Sequence, residues 1–218
     1  MREGHAIMKV TTANSAETRM REVLTTWFGA MDDGLCTPGR RAAMFRADPA
    51  QDAAIRDRFG ALVEQALAGD LDQWAMTAAG RLALVVLLDQ FTRNIYRGTD
   101  RAWAGDDSAL KFAREGVGRG DDSLLPTEQR VFLYLPFEHS ESLADQHTSV
   151  LLIERLRAAQ PAGANAVAVL NGYLQHAVEH RDVIARFGHF PHRNGALGRA
   201  STDEEHHYLE ANGRRFGQ

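Results

Sequence analysis

Apolar residues recur along most of the chain at intervals of three and four, the period that lines one side of an α-helix. Met20, Val23, Leu24, Trp27 and Phe28 set the first such stripe, over residues 17–28, and Gly29 stops it. From there to Arg46 the chain collects glycines, Pro38 and charges, which predicts a surface loop with a short helical turn near Phe45. Asp48-Pro49 pairs a good N-cap with the residue best tolerated in a first helical turn. Ile55, Phe59, Leu62, Val63 and Ala66 then share one face until Gly69. A short helical piece around Trp74 leads to residues 81–96, apolar all round the axis, which predicts a buried central helix closed by Gly98.

The second half follows the same logic. Asp106 or Asp107 caps a helix carrying Leu110, Ala113 and Val117. Pro126 opens another, with Val131, Phe132 and Leu135 inward, which should kink or end at Pro136 because proline lacks the N–H and crowds the carbonyl four residues back. Leu143, His147, Val150, Leu151 and Glu154 form the next stripe, stopped by Pro161. Ala166, Leu170, Tyr173, Ala177, His180, Ile184 and Phe187 make the longest seam and predict a helix over residues 163–187. After a structured loop at 188–200, Ser201 and Glu204 form a capping-box pattern before a final helix ending near Gly213. No strand pair is convincing. The expected fold is all-α, a single domain of roughly eight antiparallel-packed helices over residues 17–218 behind a flexible leader at 1–16.

Composition agrees with one globular core: 218 residues, 44% hydrophobic and 25% charged. A net charge of -4 offers phosphate backbones no field, so no nucleic-acid partner is expected. The longest strongly apolar run, residues 82–88, falls far short of the ~20 a membrane helix needs. Residues 1–15 lack the apolar stretch of a secretory signal, so the expected location is the cytoplasm, with Met8 and Met20 as alternative starts. The single cysteine, Cys36, sits beside no candidate base.

Three polar clusters fit a plain helical core poorly. Asp89 and Arg93 stand four apart near the end of the apolar central helix, followed by Asn94, so an intrahelical ion pair or an anion-holding guanidinium both explain them. Glu138, His139 and Glu141 follow Pro136; they either cap the next helix or offer three ligands to a divalent metal, at a spacing that matches no established motif. His180 lies on the buried seam, and the loop after it carries His192, Arg193 and Asn194. Convergence would make His180, Glu138 and His139 acid–base candidates for catalysis, with Asp89, Arg93, Asn94, Glu141, His192, Arg193 and Asn194 binding a small anionic molecule. The alternative is a helical scaffold for a protein or peptide, without catalysis. Neither a nucleophile elbow nor a glycine-rich phosphate loop occurs, and a divalent metal is the one cofactor these residues leave open.

Long motifs span these clusters: Leu87-Leu88-Asp89-Gln90-Phe91 with Arg93-Asn94-Ile95-Tyr96-Arg97-Gly98, Tyr134-Leu135-Pro136-Phe137-Glu138-His139-Ser140-Glu141, and Phe187-Gly188 with Phe190-Pro191-His192-Arg193-Asn194. With Trp27-Phe28-Gly29 they resemble the bacterial domain of unknown function 924. The resemblance implies an all-helical domain grouped with tetratricopeptide-like folds and transfers no catalytic residue. Two positions depart from it: Thr92 stands where the family usually has proline, and His189 where arginine is expected.

Overall fold

The computed structural model describes the backbone of residues 3–212 and the side chains of residues 15–211. Helices α1 (Glu3–Phe28), α2 (Pro38–Met44), α3 (Pro49–Leu67), α4 (Ala78–Val85), α5 (Thr92–Ile95), α6 (Asp106–Arg119), α7 (Thr127–His139), α8 (Leu143–Ala158), α9 (Asn165–Phe187) and α10 (Asp203–Asn212) build an all-α domain. The helix expected from residue 17 begins at Glu3, so residues 3–16 of the expected leader are helical. Beyond Gly4 that segment holds no proline or glycine to stop a helix, and Ala6, Ala13 and Ala16 favour one.

The expected loop after Gly29 contains a minimal antiparallel hairpin, β1 (Met31–Asp32) and β2 (Leu35–Cys36). Its two-residue turn, Asp33-Gly34, has φ of 47° and 74°, the positive pair that a hairpin following the natural strand twist requires. Thr37 then caps α2 by accepting the Arg40 N–H, and Pro38 fills its first position. Asp48 caps α3 through the N–H groups of Ala50 and Gln51, as the Asp-Pro pair predicts.

A π-helical turn, Val86–Phe91, joins α4 to α5 and completes the buried central element. Leu82 through Leu88 are fully buried. The Phe91 ring packs 5.0 Å from Phe59 of α3 and 5.6 Å from Trp27 of α1, while Trp27 and Phe28 meet Phe132 of α7 at 5.9 and 5.1 Å. The three pairs that involve Trp27 or Phe28 meet edge to face, and each adds roughly 0.5–1.5 kcal/mol beyond the area it buries. Gly105, before α6, approaches so closely that a Cβ there would lie 2.3 Å from the Leu88 carbonyl oxygen. Only glycine fits, and the contact sets Asp106 opposite Arg93.

Helix α7 does not end at Pro136 but runs to His139. Burial of Phe132, Leu133, Leu135 and Phe137 on both sides of the proline outweighs the lost backbone bond. The stripe expected on α8 is also displaced: of its five residues only Val150 is buried, while Leu143 and Leu151 stand 40% and 44% exposed. The inward face carries Gln146, Ser149, Val150, Ile153 and Leu156. Gln146 is inside because its amide donates to the carbonyls of Glu138 and Ser140, at 2.5 and 2.7 Å, closing the open end of α7. Helix α9 buries the predicted seam from Ala166 to Ile184. The capping box of α10 forms one residue later than expected, between Thr202 and Glu205, because the Ser201 hydroxyl accepts from Asn194. Gly213 lies outside the described residues. No helix among the described residues is long and apolar enough to cross a membrane.

Candidate active site

The last turn of α7 faces α2 and α9 across a cavity of about 460 Å³. Apolar side chains, Pro38, Ala42, Phe45, Leu135 and Val169, form much of its lining, and Arg41, Glu138, His139, Tyr173, His176 and His180 supply the polar groups. An apolar pocket with a few convergent polar groups is the usual form of a small-molecule site.

His139 is held from two sides. Its Nδ1 lies 2.6 Å from Asp89 Oδ1, and its backbone carbonyl accepts from Arg193 at 3.0 Å. Arg93 reaches Asp89 Oδ1 at 3.1 Å and both oxygens of Asp106 at 2.9 and 3.1 Å. Arg193 meets the same Asp106 at 3.3 Å. Two carboxylates and two guanidiniums thus alternate behind the imidazole and cancel in charge. Burial alone would raise the Asp89 carboxyl, but Arg93, His139 and the Gln90 amide outweigh it and hold the group well below the usual carboxylate range. An ionised Asp89 accepts only, so His139 Nδ1 is the protonated nitrogen and Nε2 the lone-pair nitrogen. Burial, with Arg93 assisting, lowers the His139 pKa against the pull of Asp89 and keeps the resting ring neutral.

Beside the dyad, Glu138 and His180 form a second pair, with His180 Nδ1 3.1 Å from Glu138 Oε1 and 2.8 Å from the His176 carbonyl. Burial pushes Glu138 up to about 8, helped by the charges of Asp89 and Glu179. Burial likewise drives His180 well below the ordinary histidine value, with His139 adding to the effect. At neutral pH this pair is therefore a carboxylic acid and a neutral imidazole rather than an ion pair. Glu138 Oε2 is buried and has no hydrogen-bond partner among the described residues.

Of the sequence candidates, Glu138, His139 and His180 line the cavity, whereas Asp89, Arg93 and Arg193 stand behind His139. The remaining candidates serve other contacts. Asn94 donates to Asp52 of α3 at 2.7 Å. Glu141 accepts the Phe190 N–H and the guanidinium of Arg199. Asn194 bonds Ser201, and the His192 ring packs 5.5 Å from Phe190. Glu138, His139 and Glu141 do not face a common point, and no three metal-binding side chains converge among the described residues.

The sequence reading missed Asp106, taken for a helix cap, and the α2 wall. There Arg41 grips both oxygens of buried Glu128, at 2.6 and 2.8 Å, while the Tyr173 hydroxyl donates to Glu128 at 2.6 Å. Tyr173 was visible only as a seam residue, and nothing in the spacing tied Arg41 to a residue 87 positions away.

A family model described as bacterial protein of unknown function (DUF924) matches residues 23–213. The solved structure of the protein of unknown function ATU0120 from Agrobacterium tumefaciens is 39% identical, with a TM-score of 0.76 over 90% of this chain and 99% of that one. No curated protein matches.

Proposed function

Since the chain belongs to the bacterial DUF924 family, whose description names no activity, we propose from its own residues that the cavity binds a small molecule on which His139 acts as an acid–base group. The observation that carries this reading is the Asp89–His139 contact of 2.6 Å on the wall of an apolar cavity. Asp89 fixes the tautomer and stabilises the imidazolium that forms when Nε2 takes a proton from the ligand. Protonated Glu138, next in the chain, supplies a hydrogen-bond donor to a developing negative charge. His180 positions Glu138 through Oε1.

An anionic ligand, expected from the two arginines, draws less support, because Arg93 and Arg193 are committed to Asp89 and Asp106. The lone Cys36 thiol, buried in the core, suits a reducing compartment, and we place the protein in the cytoplasm of a bacterial cell. A second reading, a tetratricopeptide-like scaffold for a protein or peptide, finds support in the outward-facing Leu143 and Leu151 of α8.

The test is metabolite profiling. Purified protein and His139→Asn are each incubated with a bacterial small-molecule extract, and consumed or retained species are identified by mass spectrometry. A species depleted or captured by the wild type alone supports the reading. Identical profiles from two folded proteins would refute it and favour the scaffold.

A further inference from the structure

Most polar atoms on the cavity wall are already engaged by the protein. Arg41 gives its fork to Glu128 and the Cys36 carbonyl, and the Tyr173 hydroxyl donates to Glu128. His180 Nδ1 lies 2.8 Å from the His176 carbonyl, which can only accept, so this nitrogen carries a hydrogen. Glu138 Oε1, 3.1 Å from the same nitrogen, is then an acceptor as well.

Two atoms remain. Glu138 Oε2 has no hydrogen-bond partner among the described residues, although the residue is only 3% exposed. A carboxyl buried in this way keeps its proton, and with Oε1 accepting from His180 the proton belongs on Oε2. His139, which lines the cavity and gives its Nδ1–H to Asp89, has Nε2 left as a lone-pair acceptor. The α7 wall therefore carries one unmet donor and one unmet acceptor side by side, in a lining that includes Leu135, Ala42, Phe45 and Val169.

We propose that the cavity recognises an uncharged ligand with an apolar body and one head group that both donates and accepts a hydrogen bond, an alcohol or a primary amide. Glu138 Oε2 donates to that head and His139 Nε2 accepts from it. The inference rests on the acid–base reading of the same cavity. A carboxylate would bring acceptors without a donor and add a charge close to Asp89. An ammonium would bring donors without a lone pair for Glu138.

Octanol, octanamide, octanoate and octylammonium share one apolar body and differ only in the head, so they are the probes, titrated calorimetrically into the full chain at neutral pH. Octanol and octanamide should bind on the order of tenfold tighter than the two ions, the effect expected of one satisfied hydrogen bond against one left unmade. Comparing the first two separates alcohol from amide. The preference should persist in Glu138→Gln, whose amide still donates, and vanish in Glu138→Leu. Gly172→Phe supplies the control: a Cβ at Gly172, which lines the cavity, meets nothing within 4 Å, so the ring blocks the space without disturbing the backbone. Binding of octanoate as tight as that of octanol, abolished by Gly172→Phe, overturns the head-group assignment and leaves the cavity reading intact. No binding by any probe, or binding indifferent to Gly172→Phe, overturns both.

Discussion

Glu138 gives the structure its clearest link to pH. Its carboxyl, ordinarily near 4.5, is raised to about 8 in the folded chain, chiefly by burial, so folding binds a proton that the unfolded chain has released. The folded state then holds more protons than the unfolded one between these values, and stability falls as pH rises through that window. At about 1.4 kcal/mol for each pH unit of the gap, the loss is on the order of 5 kcal/mol by pH 9. For a chain of this length that corresponds to roughly 10–20 °C in Tm. Glu138→Gln keeps the shape and cannot ionise, so its stability should match the wild type near pH 5 and exceed it near pH 9. Urea unfolding of both proteins across this range measures the difference, and the other titrating groups cancel in the comparison. Parallel curves would refute the reasoning. A wild type that gains on the variant as pH rises from about 4 to 6 would also refute it, because that is the signature of an ionised Glu138 paired with a His180 imidazolium.

Asp106→Asn strips two buried guanidiniums of their shared carboxylate and should destabilise by about 3 kcal/mol in chemical denaturation. Tyr173→Phe removes a hydrogen bond to the buried Glu128 carboxylate and should cost about 1.5 kcal/mol by the same assay. Burial and the neighbouring Glu128 push the Cys36 thiol up to about 12, so a thiol reagent at neutral pH should label it only as fast as the protein unfolds. Gly172→Ala, in the middle of α9 with open space around its Cβ, should raise stability by roughly 0.5–1 kcal/mol in thermal unfolding.

Local chemistry made much of the fold readable. Asp48-Pro49 marks the start of α3, and the seam from Ala166 to Ile184 marks α9, because cap and period depend only on near neighbours. Asp33-Gly34 and Thr37-Pro38 carried equally local signals for the hairpin and α2, yet the surrounding charges read as a loop. Helix α8 misleads for a different reason. Gln146 and Ser149 occupy its inward face, so hydrophobic spacing alone rotates the helix, and only the open carbonyls at the end of α7 explain the glutamine. The site was half legible. Glu138, His139 and His180 stood out as titratable groups beside apolar faces, but the arginines that looked suited to an anion are consumed by Asp89 and Asp106. Charge balance among side chains from three separate stretches is a tertiary property, and spacing along the chain does not encode it.

The clamp on His139 joins residues 89, 106, 139 and 193, each from a different stretch of the chain. A polypeptide emerging from the ribosome builds the aromatic core of α1, α3 and α7 long before Arg193 is available. Until then Asp106 has one guanidinium instead of two and the His139 carbonyl lacks its donor, so the dyad is fixed in place only once residue 193 has emerged. Chains cut short before residue 193 should collapse around the same core and still lack an ordered His139.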